Sequence, residues 1–171
     1  MGSWVKRSSA LVFVVIAACG GGAKTTPTGV TVSESTEAPV WEFSSLDARP
    51  VSAAAFAGKP VALIFVTTYD PICQQQVNYD VPLADEFPNV SFALVALQDA
   101  NARELVEIYR DTFKIKWPVA LADGATIAGG GTLGDVHRIP STVLIGRDGK
   151  IAWRHDGGVM PAEMREHLQK L

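Results

Sequence analysis

The sequence predicts an α/β domain with a central mixed sheet flanked by helices, and three stretches carry that prediction. Val61 to Thr67 (VALIFVT) and Val90 to Leu97 (VSFALVAL) are apolar, β-branched runs of the kind that fill strands buried on both faces. Each is followed by a helical pattern, as expected of parallel strands joined by right-handed crossovers. Ser141 to Ile145 and Ile151 to His155 flank Arg147-Asp148-Gly149-Lys150, and Asp-Gly between two strand-like runs signals a hairpin. The element order is therefore β, then β-α-β-α, then β-β-α.

The chain opens on segments that precede this domain. Lys6 and Arg7 stand before Ala10 to Ala18 (ALVFVVIAA), an apolar run well short of the ~20 residues that span a bilayer. A basic start and a short apolar stretch read as a secretory signal over residues 1–18. Residues 19–39 are rich in Gly, Thr, Ser and Pro without hydrophobic periodicity, which is the composition of a flexible tether. The domain is expected over residues 40–171.

Within the domain, Trp41 to Pro60 holds two short half-apolar segments and a Gly58-Lys59-Pro60 breaker. Asp70-Pro71 is an N-cap and N1 pair that starts a helix running to about Phe87. Its expected buried stripe is Ile72, Val77, Val81 and Leu83, and Pro82 is expected to kink it or end its first part. Leu105, Ile108 and Tyr109 recur at helical spacing in a second helix over residues 101–113, with Asn101 as its N-cap. Pro118 to Leu121 reads as a short strand, and Ala122 to Gly134 as a glycine-rich loop lacking the lysine and helix context of a phosphate cradle. Met164, Leu168 and Leu171 give the last helix one apolar face.

Composition bounds the function. The 171 residues are 47% hydrophobic and 19% charged, enough for a proper core, and the net charge is −3. No cluster of Lys and Arg provides a nucleic-acid footprint. His137, His155 and His167 are scattered rather than spaced as a metal site, and nothing in the chain calls for a cofactor.

Ile16-Ala17-Ala18-Cys19-Gly20 resembles the lipobox of bacterial lipoproteins. That resemblance implies cleavage before Cys19, a lipid on its sulfur and attachment in the cell envelope, with the domain facing the periplasm or exterior. Several acyl chains suffice for stable anchoring. A lipidated Cys19 cannot pair with Cys73, the second of the two cysteines.

From Trp41 to Leu171 the chain is similar to thioredoxin-like proteins, specifically the membrane-tethered TlpA-like branch related to AhpC/TSA proteins. Two motifs carry the likeness: WEFSSLDARPVSAAAFAGKPVALIFVTTYDPIC, and IPSTVLIGRDGKI with its Pro-Ser-Thr strand and Asp-Gly hairpin. The resemblance implies a thioredoxin-like fold and makes Pro140 the family's cis-proline, lying against the active-site turn. It also implies a protein or peptide thiol client. Where the family carries Trp-Cys-x-x-Cys, this chain reads Tyr69-Asp70-Pro71-Ile72-Cys73. Asp70 takes the place of the attacking cysteine, and Cys73 matches the second, more buried one. A dithiol cycle within this chain is excluded.

Two readings of the site remain open on the sequence. In one, Cys73 acts as a lone thiol, with Asp70 beside it. In the other, a redox-inactive module holds clients along the cis-proline edge through Tyr69, Ile139 and Pro140 by strand addition. Opposed effects act on the sulfur: the helix N-terminus favours thiolate by about 0.3–1 kcal/mol, whereas the Asp70 carboxylate and burial favour the thiol. A near-normal or raised pKa is expected. In purely structural terms, Asp70 is a helix cap and Cys73 a small buried apolar residue. Peroxiredoxin-type chemistry fits poorly, because Asp70 stands where that family has a threonine and Pro140 where an arginine is needed. Metal delivery of the Sco type would need Cys73 with Asp70, Tyr69 or His137, and lacks the first cysteine.

Overall fold

The computed structural model describes residues 38–171. The predicted signal, Cys19 and all but the last two residues of the predicted tether lie outside them. Seven strands form one sheet in the order β2-β1-β5-β4-β3-β6-β7. They are β1 (Glu42–Ser45), β2 (Val51–Ser52), β3 (Val61–Val66), β4 (Ser91–Ala96), β5 (Val119–Leu121), β6 (Ser141–Ile145) and β7 (Ile151–Asp156). β3, β4 and β5 run parallel, and the flanking pairs are antiparallel. This is the mixed, helix-flanked sheet that the two apolar runs and the hairpin predict. Four helices accompany it: α1 (Pro71–Glu86), α2 (Arg103–Thr112), α3 (Gly124–Ile127) and α4 (Pro161–Leu168).

β3 is the axis of the molecule, and all six of its residues are buried. Successive side chains of a strand alternate between faces. Ala62, Ile64 and Val66 join one core with Val77 and Leu83 of α1, Val106 and Tyr109 of α2, and Met164 and Leu168 of α4. Val61, Leu63 and Phe65 join the opposite core with Trp41, Phe43, Leu133 and Val136. A strand sealed on both sides fixes its register, since a slip of one residue would exchange the two cores.

The helices depart from the sequence expectation in phase and boundary. α1 continues through Pro82 as one helix of 16 residues. Pro82 and Asn78, whose carbonyl loses its helical partner to the proline, both lie on the exposed side, where water can take the freed acceptor. The buried face of α1 is Cys73, Gln76, Val77, Asp80 and Leu83, while Ile72 is exposed and Val81 only half-buried. α2 likewise buries Val106 and Tyr109 and leaves Leu105 and Ile108 in solvent. Asn101 is not its cap: Asp99 caps a short 3-10 turn at Ala100–Ala102, and α2 starts at Arg103 without a side-chain cap. The glycine-rich loop contains α3, capped by the Asp123 carboxylate on the Thr126 N–H at 2.7 Å.

Candidate functional site

β3 ends at Val66 and hands the chain to Thr67, Thr68 and the exposed Tyr69 before α1 begins. Asp70 has extended backbone and its Oδ1 accepts the Cys73 N–H at 2.9 Å. Proline at the first helical position has no N–H to leave unpaired, so Asp70-Pro71 starts α1 at little cost. The first turn thereby places Cys73 on the inward face.

Cys73 is fully buried. Its Sγ accepts the Thr67 N–H at 3.5 Å. Burial pushes the thiol up to about 11; the Thr67 N–H opposes this and the Asp70 charge adds to it. The helix N-terminus is thus outweighed, and the group is a protonated thiol at neutral pH.

The second half of the site arrives across the sheet. Phe65 pairs with Ser141 in the antiparallel β3–β6 ladder, which sets Pro140, one residue earlier, beside the end of β3. The Ile139–Pro140 peptide bond is cis. The Pro140 carbonyl accepts the Gly157 N–H at 2.7 Å, tying it to the segment between β7 and α4. Asp70, Cys73, Ile139 and Pro140 therefore meet at one sheet margin, with Tyr69 at its surface. His137 does not join them; it is exposed and faces Asp135 with Nε2 3.3 Å from Oδ2. Among the described residues, no group of three or more His, Cys, Asp or Glu side chains is placed to hold a metal ion.

Arg154 of β7 braces the chain leading into Pro140. It donates to the carbonyl oxygen of Leu133 at 2.6 Å and to that of Asp135. Asp156, two residues on, accepts from the Ser141 hydroxyl at 2.8 Å.

Sequence reasoning missed the layer beneath the site. Gln76 Nε2 donates to Asp80 Oδ1 at 2.9 Å, and Gln76 Oε1 accepts the Val159 N–H at 2.7 Å. This amide joins α1 to the segment that also grips Pro140. Asp80 is completely buried, its Oδ2 has no partner among the described residues, and burial pushes its carboxyl up to about 7 against a lowering by Gln76. The Tyr109 hydroxyl is also buried without a partner among the described residues, and its pKa is raised first by burial, then by the charges of Cys73, Asp80 and Asp70. Cys73, Gln76 and Asp80 are spaced i, i+3, i+7, so a stripe counted from Cys73 instead of Ile72 would have found them.

The apolar surface beside Tyr69 was only partly anticipated, since Ile72 and Met160 were not assigned to it. Tyr69, Ile72 and Met160 are 73%, 49% and 62% exposed. A Cβ added at Gly158 would stand 3.3 Å from Ile72 Cγ2, so the bare backbone at Gly158 lies alongside Ile72. Ile72, Gly158 and Met160 extend the margin beyond Pro140.

Residues 31–168 match the Redoxin family. The chain belongs to that family. Among relatives of this redoxin, the thiol-disulfide oxidoreductase ResA of Bacillus cereus is 27% identical over 136 residues, covering 79% of this chain and 76% of the relative. ResA of Halalkalibacterium halodurans is 25% identical over 128 residues, covering 74% and 70%. Solved structures show the same thioredoxin-like fold. A thiol:disulfide interchange protein of Chlorobium tepidum aligns with a TM-score of 0.68 at 22% identity, over 79% of the redoxin and 94% of its own chain. A DsbF homologue from Corynebacterium diphtheriae gives 0.70 at 16% identity, over 89% and 100%.

Proposed function

We propose that this redoxin is a thiol-redox-related protein of the bacterial envelope that holds protein clients at its cis-proline margin and runs no dithiol cycle of its own. The observation that carries the reading is the state of Cys73: fully buried, with its thiol pushed up to about 11, and with Asp70 where the attacking cysteine would stand. Attack on a disulfide needs an accessible thiolate, and this sulfur offers neither access nor charge. The margin is apolar: the exposed Tyr69 and the half-buried Ile139 would contact the client, with the buried Pro140 holding the chain beside the end of β3. An extended segment would add there by main-chain pairing. The thiol-disulfide oxidoreductase activity of the ResA relatives favours clients that carry thiols or disulfides.

Anchoring belongs to the same proposal. Residues 1–18 act as a lipoprotein signal, Cys19 carries the lipid, residues 19–39 form the tether, and the domain faces the periplasm or exterior. No helix of the described residues is long and apolar enough to cross a membrane. Incorporation of a labelled fatty acid that persists in the wild type and disappears in Cys19→Ser tests the anchor.

A second reading keeps Cys73 as a lone thiol that forms mixed disulfides when the margin opens. The Thr67 N–H on its sulfur favours it, because that bond would stabilise a thiolate. A fluorescent peptide whose one cysteine is held in a disulfide with thionitrobenzoate, and the same peptide alkylated, separate the two. Holding predicts equal binding of both and no loss in Cys73→Ser. Lone-thiol chemistry predicts that Cys73 attacks the disulfide of the first peptide, releasing thionitrobenzoate and leaving a reducible covalent adduct with that peptide alone, absent in Cys73→Ser.

A further inference from the structure

We infer that the cleft at the opposite end of the sheet is a binding site for a small anionic amphiphile of the fatty-acid class. The cleft encloses about 220 Å³ between Ala38, the turn at residues 53–59 and the β6–β7 hairpin turn. Val61 and Ile145, paired in the β3–β6 ladder, lie at its base, at the far end of β3 from Cys73. Trp41 and Phe56 stack there with ring centroids 6.1 Å apart and planes inclined by 23°.

Small residues keep the cleft open. Gly58 and Gly149 both have positive φ, which disfavours a side chain there, and a Cβ at Gly149 would come within 3.0 Å of Ala38 Cβ. At roughly 30 Å³ for each group of water size, the space admits an apolar segment of about seven heavy atoms.

Charge selects the head group. Lys59 and Arg147 stand exposed at the rim, and neither forms an ion pair among the described residues. Among the described residues the one acid on the rim, Asp148, uses Oδ1 within its own turn, accepting the Lys150 N–H at 3.1 Å. In a chain of net charge −3, two unpaired cations over an aromatic floor favour a ligand with an apolar body and a single anionic end. The site lies apart from the client margin and does not depend on the function proposed for it.

Octanoate brominated at its tail, titrated into the full chain, tests the assignment, because bromine quenches a tryptophan it touches. The expected result is saturable quenching that is lost in Trp41→Phe, which keeps Trp4, Trp117 and Trp153 as background. Reversing both exposed rim charges in Lys59→Glu/Arg147→Glu should raise the dissociation constant about tenfold, the scale of two surface charge contacts. Circular dichroism checks that each variant folds. The double charge variant decides the question if Trp41→Phe does not. Absence of saturable quenching, quenching that survives Trp41→Phe, or equal affinity for the tail-brominated alcohol would overturn the assignment.

Discussion

Cys73 and Asp80 lie two turns apart on the buried face of α1, and burial moves both towards their neutral forms. For the cysteine this sets reactivity. A pKa near 11 instead of 9.0 leaves about a hundredfold less thiolate at pH 8. Maleimide labelling of the folded protein should therefore be at least that much slower than labelling in urea, and comparable rates would remove the basis for a client-holding role. For the aspartate it sets stability. Below the ordinary value of 3.8 the carboxyl is protonated in both states and contributes no pH dependence. Between about 4 and 7 only the unfolded chain ionises, so stability falls as pH rises, and above about 7 the loss levels off. Asp80→Asn keeps an oxygen for Gln76 Nε2 and removes the titration. Its gain over wild type in urea unfolding should be near zero at pH 4 and at least about 1 kcal/mol at pH 8. A gain independent of pH would show that Asp80 is not ionised at the cost of folding.

At the scale of the element, α1 shows what sequence can and cannot reveal. Asp70-Pro71 announces the helix start because capping is local chemistry: the carboxylate and the Cys73 N–H are three residues apart, and the bond forms at 2.9 Å. Asp70→Ala should cost about 1 kcal/mol. Asp70→Asn should retain the cap while lowering the Cys73 pKa, because the charge that disfavours thiolate is gone; a thiol titration monitored at 240 nm reads the difference. The helix's phase was less legible, since it is set by what docks on it. Ile72, Leu105 and Ile108 are apolar enough to suggest core, yet the sheet accepts Cys73, Gln76 and Asp80 of α1 and Val106 and Tyr109 of α2. Polar side chains on a buried face escape a hydrophobic count, and their partner, the Val159 N–H, lies 83 residues from Gln76. Pro82 does not end α1, because its turn faces solvent and the carbonyl it leaves unpaired can bond water. Pro82→Ala should leave the fold unchanged and stabilise it by about 1–3 kcal/mol in denaturant unfolding.

Across the whole molecule, β3 separates two ends with different chemistry, and the sequence shows the strand more clearly than the ends. The buried runs and the Asp-Gly hairpin sufficed for the architecture, because sheet and core follow from period and turn chemistry. The proposed client margin draws on Tyr69 to Cys73, Ile139–Pro140 and Gly157 to Met160, which the β3–β6 register, the Pro140–Gly157 bond and the Gln76–Val159 bond bring together. Motif likeness pointed to the first two; Met160 carries no local signal. If clients are held by this apolar margin, capture must depend on the surface side chains and not on the sulfur. Ile72→Ser/Met160→Ser changes two exposed residues, so the fold should tolerate it, and it removes two of the three large apolar groups from the margin. Truncating two partly desolvated contacts of this size should weaken binding of an alkylated, extended peptide about tenfold by fluorescence anisotropy. Cys73→Ser should leave that affinity within about twofold. The reverse pattern, with the serine at Cys73 abolishing capture and the surface variant silent, would return the site to thiol chemistry.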